Sequence, residues 1–155
     1  MNVPGVGRWV RRVAVVLLFT APAPQCLTAQ RIGREFGVQG YALLGDADQA
    51  GGGLFVARRA GPRGRISFFA GAGGGGQRVT GRGEALVHLL VAPGRRRGAA
   101  PYLAGGLGLD VATRSEARLV AVVGLEGSPG ARQGWVIEAG VGGGWRLSAG
   151  WRWRR

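Results

Sequence analysis

The sequence predicts an all-β fold: a closed, antiparallel, up-and-down barrel of eight strands. Three observations predict it. First, apolar residues alternate with small or polar ones through most of the chain after residue 30, as in strands whose two faces meet different surroundings. Second, glycine supplies 32 of 155 residues, and each glycine in a helix interior costs about 1 kcal/mol relative to alanine. Third, the alternating runs number eight, each near ten residues, with clusters of turn formers between them.

The chain opens with a different pattern. "MNVPGVGRWVRR" is basic, "VAVVLLFTA" is apolar but too short to span a bilayer as a helix, and "PAPQCLTAQ" offers a small-residue cut after Ala29. That order predicts a cleavable signal peptide over 1–29, ahead of one barrel domain over 30–155. Cys26 raises lipidation as a competing fate, although Gln25 before it is a poor fit. Ordinary cleavage removes the only cysteine, and with it any disulfide or thiol chemistry.

Strands are expected near 35–44, 52–59, 65–73, 83–92, 101–110, 117–126, 134–142 and 145–153. Connections are expected at 45–51, 60–64, 74–83, 92–100, 111–117, 127–134 and 142–144, with Pro62, Pro93 and Pro129 inside them. In 65–73, Ile66, Phe68, Ala70 and Ala72 oppose Arg65, Ser67, Phe69 and Gly71. In 83–92, Ala85, Val87, Leu89 and Val91 oppose Glu84, Leu86, His88 and Leu90. In 117–126, Leu119, Ala121, Val123 and Leu125 share a side. In 134–142, Trp135, Ile137, Ala139 and Val141 oppose Val136, Glu138, Gly140 and Gly142. One face is wholly apolar, and the other mixes small residues with isolated charges. A soluble sandwich has a frankly polar outer face, whereas this second face suits a narrow lumen. Ten residues is also the length a tilted strand needs to cross a bilayer.

The ending "GWRLSAGWRWRR" carries the same division. Trp145, Leu147, Ala149, Trp151 and Trp153 take one face, and Arg146, Ser148, Gly150 and Arg152 the other. Taken with the leader and the glycine content, residues 31–155 resemble the small outer-membrane β-barrel proteins, the eight-stranded class that includes the OmpA-like transmembrane domain. The resemblance implies a transmembrane barrel in the bacterial outer membrane. Its expected partners are outer-membrane lipids and the barrel-assembly machinery. In that class the last strand carries an assembly signal, onto which Trp151 and Trp153 map as the aromatic places and Arg146 as the polar one. Ser148 stands where glycine is usual, and Arg154 and Arg155 follow the last aromatic, which departs from the pattern. By the same class, 45–51, 74–83, 111–117 and 142–144 are expected outside and the other connections in the periplasm. Short external connections argue against an adhesin.

Direction and parity together place Phe36, Trp135, Trp151 and Trp153 in one aromatic arc at the periplasmic boundary, with Trp145 at the opposite rim. Inside, an unpaired charge is expensive. Glu35, Glu84, Glu126 and Glu138 are therefore expected to pair with Arg118, Arg146 and Arg152, plugging a lumen only wide enough for side chains.

Little else points to chemistry. Formal charge is +13, all of its positive side from 21 arginines. The leader and the apolar alternation argue against nucleic acid as the partner. Arg95, Arg96 and Arg97 are placed at the periplasmic rim, beside lipid headgroups or water. "GAGGGG" (71–76) lacks the Lys-Ser/Thr and the helix of a phosphate loop and is expected to be a hairpin tip. His88 is the only histidine and is placed in the interior. None of Ser67, Ser115, Ser128 and Ser148 adjoins it in sequence, and pairing across strands stays open. No catalytic, cofactor or metal site is expected. The function expected is a structural role in the membrane, with a plugged lumen. The alternative is a soluble exported barrel holding a small apolar ligand, lipocalin-like, which would be apolar inside and polar outside.

Overall fold

The computed structural model describes residues 33–45, 48–75, 78–112 and 115–155, with only the backbone of Arg78. The leader expected over 1–29, Cys26 included, lies outside these residues. Eight strands follow one another: β1 Arg34–Leu44, β2 Gln49–Arg59, β3 Gly64–Gly75, β4 Arg78–Leu90, β5 Ala99–Val111, β6 Ser115–Gly127, β7 Gln133–Val141 and β8 Trp145–Arg154. Each pairs antiparallel with the next, and β1 pairs with β8, so the sheet closes as an up-and-down barrel.

Closure leaves no open edge among these strands, so each has a hydrogen-bonded neighbour on both sides. The seam is tied on both faces. Outside, the rings of the register partners Phe36 and Trp153 stack with centroids 5.6 Å apart. Inside, Arg154 Nη2 donates to Glu35 Oε1 at 2.6 Å, again between register partners.

Side chains alternate as the sequence divides them. Leu54, Leu119 and Trp145 point outward at 66%, 80% and 71% exposure. The inner face buries two apolar groups, Tyr41, Leu43, Phe55, Ala57 and Phe69 on one wall and Leu86, Leu90, Tyr102, Ala104, Val120 and Val122 on the other. Charged and polar side chains fill the space between.

The strands run longer than the pattern suggests, chiefly at the connection expected over 74–83. β3 continues to Gly75 and β4 begins at Arg78, so "GAGGG" is strand, not hairpin tip. Glycine is needed there for close approach. A Cβ on Gly71 would lie 2.7 Å from the Phe69 ring, and one on Gly73 would lie 2.5 Å from the Tyr41 hydroxyl. The rims are also uneven. β6 pairs with β7 only from Ala121 onward, whereas it pairs with β5 from Ser115. The β5–β6 hairpin therefore overhangs the rim that carries turn 142–144, called here the far rim. The other, terminal rim carries the start of β1, the end of β8 and the connections 60–63, 91–98 and 128–132.

Candidate functional site

The inner faces of all eight strands meet in one string of hydrogen-bonded charges running along the lumen. Near the terminal rim, Glu35 and Glu126 receive the arginines. Arg65 Nη1 lies 3.2 Å from Glu35 and 2.7 Å from Glu126. Arg152, fully buried, stands 3.7 Å from each of these two carboxylates and donates to Ser128 O at 3.1 Å. Arg59 stands 3.5 Å from Glu35.

At mid-height the hub is Glu138. Arg146 Nη1 and Gln39 Nε2 each donate to its Oε2 at 2.7 Å, Ser148 Oγ donates there at 2.8 Å, and Tyr102 Oη donates to Oε1 at 2.8 Å. A carboxylate with four donors, two of them on the adjacent strand β8, is fixed in place. Tyr102 joins this hub to the lower cluster, because the Arg65 guanidinium lies 5.0 Å from its ring centre.

Toward the far rim, Arg146 Nη2 reaches Glu84 at 3.1 Å, and Arg82 Nε reaches the other Glu84 oxygen at 2.7 Å. Arg82 also donates to Asp110 at 3.0 Å and to Gly142 O at 3.1 Å. Beyond Asp110 the lumen opens into a cup of about 890 Å³, lined in part by Asp48, Gln49, Glu116 and Arg118. At mid-height, between Ser67, His88, Tyr102 and Glu138, only about 20 Å³ remains. That is room for about one water.

Of the residues expected in the lumen, Glu84, Glu126, Glu138, Arg146 and Arg152 are buried there. Arg118 is not. It has the inner-face parity, but it sits on the overhanging end of β6, its side chain 38% exposed, paired with Glu116 and with Asp110 at the mouth. Parity gives a residue's face and not its height along the barrel. Four arginines of the string, Arg59, Arg65, Arg82 and Arg154, are absent from the pairing set expected from the sequence. Arg82 falls in the segment taken as a connection. The available clue is that Thr80, Arg82 and Glu84 continue the polar parity of β4 back past its glycines.

The aromatic residues lie outside. Phe36, Trp135 and Trp151 are exposed on the outer wall, and Trp153 is half-buried against Phe36. Trp135 and Trp151 are register partners, and Val38 is the partner of Trp151 on the other side. These four form one arc at the terminal rim. Trp145 is at the far rim, paired with Leu44 and Val141.

His88 is buried, and the fold brings Ser67 to it. Ser67 Oγ lies 2.7 Å from Nε2, and Arg65 Nη2 lies 3.1 Å from Nδ1. Arginine only donates, so Nδ1 accepts and the ring hydrogen sits on Nε2, donated to the serine. A serine nucleophile needs the reverse, an unprotonated Nε2 taking its proton and an acceptor on Nδ1. Among the described residues no group of His, Asp and Glu is arranged to hold a metal.

No family model matches the chain, and no curated protein matches it in sequence. Solved structures do match in fold. The N-terminal β-barrel domain of Pseudomonas aeruginosa OprF superposes with a TM-score of 0.60 over 78% of this chain and 97% of its own, at 13% identity. The de novo designed protein TMB2.3 superposes with a TM-score of 0.52 over 79% of this chain and 93% of its own, at 19% identity. The fold resembles that of the small outer-membrane β-barrels.

Proposed function

We propose that this chain is a bacterial outer-membrane barrel with a plugged lumen, a structural component of the envelope without catalytic activity. The observation that carries it is the inversion of the two faces. Leu119, Val123, Ile137 and Trp151 point outward and exposed, while Glu84, Glu138, Arg146 and Arg152 are buried. Soluble proteins rarely expose apolar patches beyond a few hundred Å², and here the outer wall is apolar from strand to strand between its rims. A soluble ligand barrel has the opposite arrangement, so the lipocalin-like reading is disfavoured.

The plug follows from the string of ion pairs and the small space left beside Glu138. A structural role is therefore favoured over permeation. The tautomer imposed on His88 favours a non-catalytic reading of the Ser67–His88 pair. Outer-membrane lipids are the partners this outer wall suits, and Trp151 and Trp153 on β8 are the residues offered to an assembly machinery.

Cell fractionation and gel mobility test the proposal together. The protein is expected in the outer-membrane fraction, and its mobility is expected to shift when the sample is boiled, as a compact barrel unfolds. Recovery in the soluble periplasmic fraction would overturn it.

A further inference from the structure

The terminal rim of the outer wall carries an unusual juxtaposition. Arg34 and Arg58 are register partners on β1 and β2, both exposed. Like charges directly opposite one another on neighbouring strands are destabilising. The next outward pair along the same strands is Phe36 and Val56, and Ile66 and Phe68 of β3 lie beside them, paired with Arg58 and Val56. Arg155 closes the group, its guanidinium 5.8 Å from the centre of the Phe36 ring and its backbone N–H donating to Arg34 O at 3.0 Å. Among the described residues, no carboxylate lies within ion-pairing distance of Arg34, Arg58 or Arg155, although the acids of the lumen are heavily engaged.

These residues, with Glu35 and Ala57, line a groove of about 730 Å³ on the outer wall, apolar along its length and arginine-rimmed at its terminal end; the Glu35 side chain is itself buried and held by Arg65 and Arg154. The groove stands at the level of the aromatic arc, because Phe36 belongs to both. An occupant must be apolar at one end and anionic at the other, in that order along the barrel axis. We infer that the groove is a binding site for an anionic phospholipid, with an acyl chain along Phe36, Val56, Ile66 and Phe68 and the headgroup phosphate held by Arg34, Arg58 and Arg155. Guanidinium groups match phosphate oxygens in geometry as well as charge. The phosphate offsets the repulsion between Arg34 and Arg58, which no carboxylate among the described residues relieves. The inference rests on the membrane reading of the outer wall, and it names the lipid class and the place.

The rim carries other exposed arginines, which supply the control. Arg95, Arg96 and Arg97 lie in the 91–98 connection and do not line the groove. A specific site distinguishes the two sets, whereas a diffuse basic rim does not.

The test is native mass spectrometry of the purified protein in mild detergent, with added dioleoylphosphatidylglycerol or dioleoylphosphatidylcholine. The wild-type protein is expected to retain one phosphatidylglycerol in preference to phosphatidylcholine. With each arginine near an anionic headgroup worth about 1 kcal/mol, R34Q/R58Q should weaken that retention about 30-fold. The triple variant R95Q/R96Q/R97Q should stay within about threefold of wild type. No preference in the wild-type protein, or an equal loss in the triple variant, would overturn the site. Boiling-dependent gel mobility is measured on the same samples. An intact mobility shift without lipid preference counts against this site alone, whereas loss of the shift in the wild-type protein counts against the membrane barrel. Should R34Q/R58Q lose the shift, R155Q, which lies outside every strand, carries the test with an expected loss of about fivefold.

Discussion

Arg146 and Glu138 lie on adjacent strands, joined by the glycine turn 142–144, and their side chains meet at 2.7 Å inside the barrel. Gly143 and Gly144 have φ of +87° and +131°, which lets the turn be that tight. The pair is buried, and each partner has further partners of its own: Glu84 for Arg146, and Tyr102, Gln39 and Ser148 for Glu138. Glu138→Gln leaves a buried guanidinium short of charge, and breaking a buried pair from one side costs about 3–5 kcal/mol. Urea unfolding of the protein folded into lipid vesicles should show that loss. The double variant E138Q/R146Q should recover part of it, because the stranded charge is then gone.

Arg118 supplies the contrast. Its partners Asp110 and Glu116 are at the open mouth, and exposed pairs are worth about 0.2–1 kcal/mol. Arg118→Ala should therefore move the same unfolding midpoint by less than about 1 kcal/mol. A loss comparable to that of Glu138→Gln would mean that the β5–β6 overhang folds inward and extends the plug.

The two faces of β8 are legible in the sequence because tryptophan and arginine mark them without ambiguity. The same holds for β6 and β7, where Leu119 to Leu125 and Trp135 to Val141 declare the outer side. Heights along the barrel are not legible, since they depend on the register of each pair. That is why Arg118 reads as interior and Arg82 as part of a connection. Glycine is the other obstacle. A glycine run in β3 looks like a turn until Tyr41 and Phe69 are seen to need the space. The meeting of Ser67 with His88 requires β3 and β4 in register, and nothing local in the sequence gives it.

Tyr102 and Gly124 are register partners, and the ring fills the place of a side chain. A Cβ on Gly124 would run into Tyr102 Cζ. Gly124→Ala should therefore displace a ring that bonds Glu138, at a cost of about 1–3 kcal/mol. Gly83→Ala is the matched control. Its nearest neighbour would be 3.9 Å away, and alanine in a strand is favoured over glycine by about 0.5–1 kcal/mol. Unfolding midpoints of the two variants should move in opposite directions.

Ser67 should be chemically inert. With the His88 hydrogen directed at its oxygen, the hydroxyl has no base, and a fluorophosphonate probe should leave the folded protein unlabelled. Ser67→Ala should cost about 1–3 kcal/mol, because it leaves the buried His88 Nε2–H without an acceptor. Labelling of Ser67 would show that the imidazole turns over and that the lumen can do chemistry.

The outward tryptophans report on the central claim, that the outer wall faces lipid. In a W9F protein reconstituted into bilayers, only Trp135, Trp145, Trp151 and Trp153 emit. Their fluorescence should be quenched by lipids brominated on the acyl chain, most strongly when the bromines lie near the headgroups, where amphipathic rings settle. Emission unaffected by brominated lipid at any depth, yet quenched by aqueous acrylamide, would place these rings in water and contradict the account.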